Sequence, residues 1–116
     1  MSTATLNEKT KLLELTDLNF DKEALQSALP ILVDFTAAWC APCRAIKPHV
    51  EAVAHAYEGR LRVAMCDVDA NPEVAAKLDV RSMPTLLVFK GGNVVGQLIG
   101  AVPRARVEAM IEKALS

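Results

Sequence analysis

Ile31-Leu32-Val33-Asp34-Phe35 is an apolar run broken by a single acid. A strand with one wet face alternates apolar and polar residues, whereas a run like this suits a strand covered on both faces. It requires a layer above and a layer below, and the rest of the chain offers both. Ile46, Val50, Val53, Ala54 and Tyr57 recur at helical spacing. Gly59 is placed to close that helix, and Pro48, whose nitrogen cannot donate, is expected to kink it. Leu12, Leu13 and Leu15 read as a first strand. Residues 21–29 read as a short helix capped by Asn19 or Asp21 and ended by Pro30. Leu61 to Val68 is a strand, and Asn71-Pro72 starts a short helix through Leu78 by the cap-then-proline rule. Thr85–Phe89 and Val94–Ile99 form a hairpin around Lys90-Gly91-Gly92-Asn93, and Pro103 opens a last helix through Leu115. The order is βαβαβαββα. It predicts an α/β fold with a mixed five-stranded central sheet flanked by four helices, its strand–helix–strand units giving parallel pairs.

The 116 residues favour one domain, with residues 1–10 as a frayed polar extension. Lysine and arginine number 13 against 14 aspartates and glutamates. That balance excludes a strong electrostatic nucleic-acid binder, and five scattered aromatics give no stacking platform. No apolar run approaches the ~20 residues of a membrane span. Residues 1–15 do not resemble a signal peptide, so the chain is expected in the cytoplasm, where three cysteines do not read as a disulfide framework. Nothing suggests a stable oligomer, so a monomer is expected.

Two of those cysteines form Trp39-Cys40-Ala41-Pro42-Cys43 at a strand–helix junction. At spacing three, both sulfurs come within disulfide reach in a first helical turn. Unpaired N–H groups and the positive dipole end stabilise a thiolate there and lower the leading thiol's pKa. Arg44 adds positive charge. Cys40 reads as the attacking nucleophile and Cys43 as the resolving thiol. Asp34, a carboxylate in an apolar strand, prefers to be neutral, so it can exchange a proton with Cys43 near neutral pH.

From about Leu15 onward the chain resembles a thioredoxin. The resemblance rests on Phe20-Asp21, Val33-Asp34-Phe35, the Trp39–Cys43 motif and Pro48. It continues through Asp67-Val68-Asp69, Asn71-Pro72, Met83-Pro84-Thr85, Phe89-Lys90, Gly92 and Gly100-Ala101. It implies the thioredoxin fold, a cis Pro84 facing the two sulfurs, and backbone pairing of Met83 with a substrate peptide. It also implies an apolar docking surface of Trp39, Ala41, Pro42, Val68, Met83, Pro84, Ile99, Gly100 and Ala101. The implied activity is reduction of disulfides in client proteins. No cofactor is bound, and electrons come from NADPH through a thioredoxin reductase carrying FAD. Three positions depart from the family pattern: Ala41 replaces a glycine, Thr36 an aromatic, and Met65 a lysine that often partners the acid. Without that lysine, the Asp34 pKa is expected to be raised by desolvation alone.

Other readings compete. A zinc pair needs about four ligands, and Cys66, His49 and His55 do not stand at ligand spacing. The fold could also serve a disulfide oxidant or isomerase, or a binding module with incidental cysteines. Cys66 reads as a buried small hydrophobe, and Asp67 and Asp69 as shaping a strand end.

Overall fold

The computed structural model describes residues 5–116; Met1 to Ala4 of the expected polar extension lie outside the described residues. The elements are β1 (Thr5–Leu6), β2 (Leu13–Leu15), a π-helical turn (Asp21–Leu25), β3 (Ile31–Thr36), α1 (Ala41–Ala56), β4 (Arg62–Asp67), α2 (Pro72–Lys77), β5 (Thr85–Lys90), β6 (Asn93–Ile99) and α3 (Arg104–Leu115). One six-stranded mixed sheet runs β1-β2-β4-β3-β5-β6. β4 pairs in parallel with β2 and β3, while β5 pairs antiparallel with β3 and β6.

β3 lies in the middle, and Ile31 to Phe35 are all buried, as the apolar run predicts. The period of two sends successive residues to opposite faces. Ile31, Val33 and Phe35 join Leu15, Phe20, Ala24, Val74 and Phe89 in one core. Leu32 joins Ile46, Val50 and Val53 of α1, Leu86 of β5 and Ile111 of α3 in the other. By that alternation Asp34 shares the face of Leu32, under α1.

The structure departs from the sequence reading at four places. A sixth strand, β1, pairs with β2 in the segment expected to be frayed, and Asn7 Oδ1 accepts the N–H groups of Lys9 and Thr10 in the turn between them. The helix expected over 21–29 stops at Leu25. The Arg62 guanidinium donates to the Glu23 carbonyl at 2.7 Å and pairs with the Glu23 carboxylate, so the Ser27 N–H turns to Ala24 instead. Asn19 caps no helix; its Oδ1 accepts from Thr16 N–H. Asn71 does not cap α2 with its side chain either. Its Oδ1 accepts the Asp17 N–H at 2.9 Å, and the Asp17 carboxylate in return accepts from Glu73 and Val74 N–H. The cap of α2 is supplied from 57 residues away in sequence.

Two turns follow their sequence signals. Gly59 takes φ +89°, a value that favours glycine, and lets Arg60 and Leu61 N–H both reach the Tyr57 carbonyl past the end of α1. Gly91 and Gly92 both have positive φ in the two-residue β5–β6 turn, the geometry a tight hairpin needs.

Removing a side-chain cap costs about 1 kcal/mol. Asp17→Ala is therefore expected to lower unfolding stability by roughly 1–2 kcal/mol in urea titration, with Asp17→Asn losing less. An unchanged midpoint for Asp17→Ala would show that the cross-chain cap does not hold α2.

Candidate functional site

β3 delivers the chain to the end of the sheet at Thr36, where its carbonyl accepts the Val68 N–H and ties the ends of β3 and β4 together. Ala37 to Trp39 turn outward, and Arg44 Nη1 donates back to the Ala38 carbonyl at 2.9 Å, fixing that turn from the helix below. Cys40 is the N-cap of α1 with extended backbone angles, and Pro42 occupies the first turn, where a missing N–H costs nothing.

Cys40 and Cys43 are joined by a disulfide, with Cα atoms 5.3 Å apart. The Cys43 N–H donates to Cys40 Sγ at 3.2 Å. A backbone donor at the positive end of a 16-residue helix therefore points at the sulfur that would carry negative charge after reduction. Cys40 Sγ also lies 3.6 Å from the Met83 carbonyl oxygen. The Met83–Pro84 peptide is cis. Ala37, Cys40 and Cys43 form a small apolar cluster with Val68 and Met83. Gly100 N–H donates to the Pro84 carbonyl, bringing the segment after β6 against the Met83–Pro84 loop.

The remaining predicted surface residues fall into three groups. Trp39, Ala41, Pro42, Ile99 and Ala101 are exposed, and Val68, Met83 and Gly100 are half-buried. Pro84 is buried, so it backs the site rather than facing solvent. Trp39 is 66% exposed yet anchored: its indole N–H donates to Asp69 Oδ2 at 2.7 Å. Asp69 is held in turn, because Asp67 Oδ1 accepts the Asp69 N–H at 2.9 Å. The sequence reading gave Asp69 only a strand-end role; nothing in the local pattern tells which carboxylate meets an indole 30 residues away.

Asp34 is 2% exposed, and its Oδ1 has no hydrogen-bond partner. Its in-register neighbours are Met65 on β4 and Leu86 on β5. Burial pushes the carboxyl from its ordinary 3.8 up to about 7. Desolvation is the raising cause, as expected, but it does not act unopposed: the Lys47 ammonium on α1 pulls the value down. Cys66 is fully buried, and burial, with Asp17 and Asp67 adding to it, pushes its thiol up to about 12, far from a reactive range. Among the described residues no group of three or more His, Cys, Asp or Glu side chains could hold a metal ion. No helix among them is long and apolar enough to cross a membrane.

The Asp34 shift predicts a pH-dependent stability. Folded Asp34 keeps its proton to about pH 7, and the unfolded carboxyl releases it near 3.8. Below that lower value both states are protonated and the burial is harmless. As pH rises through this window the folded state loses stability, by roughly 4 kcal/mol once both states are ionised. Asp34→Asn should therefore match the parent below pH 4 and exceed it increasingly up to pH 8 in denaturant titrations. An increment independent of pH would contradict a buried, titrating carboxyl.

A family model described as Thioredoxin matches residues 11–113. Thioredoxin 1 of Nostoc sp. is 45% identical over 102 residues, covering 88% of this chain and 95% of its own. Thioredoxin of Porphyra purpurea is 44% identical over 103 residues, covering 89% and 96%. Thioredoxin C-2 of Corynebacterium nephridii is 43% identical over 98 residues, covering 84% and 91%.

Proposed function

The chain belongs to the thioredoxin family, and on that premise we propose that it reduces disulfides in client proteins through the Cys40–Cys43 dithiol. The observation that carries the reading is the Cys43 N–H aimed at Cys40 Sγ from the head of α1. That donor and the helix dipole favour the thiolate at Cys40 over a thiol.

The cycle starts from the dithiol. The Cys40 thiolate attacks one sulfur of the client disulfide and expels the other as a thiolate, which takes a proton from solvent. A mixed disulfide now joins Cys40 to the client. Cys43 gives its proton to the Asp34 carboxylate and attacks Cys40 Sγ. The Cys40–client bond breaks, the second client thiolate leaves, and the Cys40–Cys43 disulfide forms. Two electrons have passed from the dithiol to the client. A thioredoxin reductase, using FAD and NADPH, returns them.

Client docking falls to the apolar rim around the sulfurs. Trp39, braced by Asp69, stands there with Ala41 and Pro42, and Val68, Met83, Ile99, Gly100 and Ala101 complete the rim, with Pro84 buried behind it. The peptide groups of Met83 would pair with an extended client segment, a mode that accepts many sequences because it reads backbone. We take residues 1–116 as one such domain, acting as a monomer in the cytoplasm, where a dithiol can be kept reduced.

Cys43→Ser should stop turnover but accumulate a covalent client adduct on Cys40, visible by mass spectrometry without reductant. Cys40→Ser should give neither turnover nor adduct. Turnover surviving in the Cys40→Ser, Cys43→Ser double variant would replace this reading with a binding module.

A further inference from the structure

β6 is the last strand of the sheet, and its outer edge has no partner among the described residues. Gly100 N–H donates to the Pro84 carbonyl, and the β5–β6 register runs unbroken from Thr85–Ile99 to Val88–Gly96. Backbone groups of an antiparallel strand alternate between its two edges. Leu98 and Gly96 therefore turn theirs toward β5, while Gln97 and Ile99 turn theirs outward. Edge strands usually protect such groups with charge or proline, yet none of the residues Asn93–Ile99 is charged or a proline. Val95, the extra residue of a bulge, disrupts pairing only toward the far end. A hollow flanks this edge on each face of the sheet. One, of about 380 Å³, lies beside α3, where Arg106, Met110 and Lys113 recur at spacings of four and three, a single helical stripe. Met110 lies across Gly96, where a Cβ would come within 2.7 Å of its Cγ. The other hollow, of about 330 Å³, is walled by Leu78, Val80 and Leu87, and its Asp79 and Arg81 pair with each other. The α3 side is positive. Among the described residues neither Arg106 nor Lys113 makes an ion pair. The acids of α3 are engaged on its other flank, Glu108 with Arg104 and Glu112 with Tyr57 and Arg60.

We propose that the free edge of β6 takes an extended segment of a client protein, acidic and apolar in alternation, as an added strand. The segment's backbone pairs with the outward N–H and C=O groups of Gln97 and Ile99, the usual means of strand addition. Successive side chains of that strand point to opposite faces. Carboxylates on one face meet Arg106 and Lys113, and apolar side chains on the other enter the hollow walled by Leu78, Val80 and Leu87. The pattern, not net acidity alone, is what the edge selects. A second copy of this chain does not suit it. Two β6 edges paired antiparallel put both α3 helices on one face of the joined sheet, which brings Arg106 and Lys113 of each copy toward the same cations of the other. The edge also runs into the rim around the sulfurs. Gly100 N–H bonds the Pro84 carbonyl, and the Met83 carbonyl lies 3.6 Å from Cys40 Sγ, so a segment on β6 is held next to the redox pair. That the segment belongs to a client rests on the reductase reading; the binding surface does not.

The test is an amide NMR titration of the oxidised full-length chain with a cysteine-free peptide of alternating glutamate and valine. Saturable shifts are expected over Val95–Ile99 and along Arg106–Lys113, and a lysine–valine peptide of the same length should give none. Arg106→Gln and Lys113→Gln should each weaken binding roughly two- to fivefold, the worth of an exposed charge pair, and together about tenfold. Both residues are exposed, so the variants are expected to fold. N-methylating alternate peptide residues removes the N–H groups on one edge of the added strand. One methylated frame should lose binding and the other keep it, which reads backbone pairing without altering the protein. No saturable shift, or shifts confined to the residues around Cys40, would overturn the site. Equal binding of the lysine–valine peptide would overturn the charge selection, and equal binding of both methylated frames would overturn strand addition. For the client role, the glutamate–valine peptide is joined to a disulfide and its reduction followed. The Arg106→Gln, Lys113→Gln double variant should raise KM at unchanged kcat, and an unmoved KM would overturn that role. The titration needs no disulfide, so loss of the reductase reading would leave the binding surface still decided.

Discussion

Strand β3 is hydrogen-bonded on both edges and covered on both faces, and the site depends on that enclosure. A strand so placed has no wet face, so whatever it carries is either apolar or desolvated. It carries one acid. Its far end is where the chain breaks into solvent, and the next regular residues are Cys40 and the first turn of α1. One burial constraint therefore produces two opposite electrostatic environments within a few residues. Asp34 sits where charge is disfavoured, and Cys40 sits where a helix terminus favours it.

Those two environments divide the chemistry. Cys40 can hold a negative charge as a nucleophile because the Cys43 N–H and the helix dipole solvate it. Cys43, one turn deeper and buried, has no such help, so in the proposed cycle it needs a group to take its proton when it attacks. A carboxyl held near pH 7 is matched to that task, since it gives and accepts protons with little bias in neutral solution. The cost of burying it appears as stability lost as pH rises from about 4 to about 7, a trade that functional sites commonly make.

Much of this was legible from local pattern. The Ile31–Phe35 run announced a doubly covered strand, the Cys-x-x-Cys at its exit announced a helix-head dithiol, and the lone acid inside the run announced a raised carboxyl. Contacts between distant segments were not legible. Asp17 capping α2, Arg62 cutting short the first helix and Asp69 bracing Trp39 each join residues 30 or more positions apart. Their sequence signals looked local: Asn71-Pro72 has the form of a self-capped helix, yet its cap came from another loop. The strand count fell one short because two residues, Thr5 and Leu6, carry too little pattern to announce an edge strand.

The direction of electron flow is the central claim, and the equilibrium redox potential of the Cys40–Cys43 pair tests it most directly. Trp39, the only tryptophan, adjoins Cys40 and reports the state of the pair by fluorescence in a dithiol buffer series. The account predicts a potential near that of a general reductant, about −270 mV. A value near −120 mV, that of a strong disulfide-forming oxidant, would contradict it.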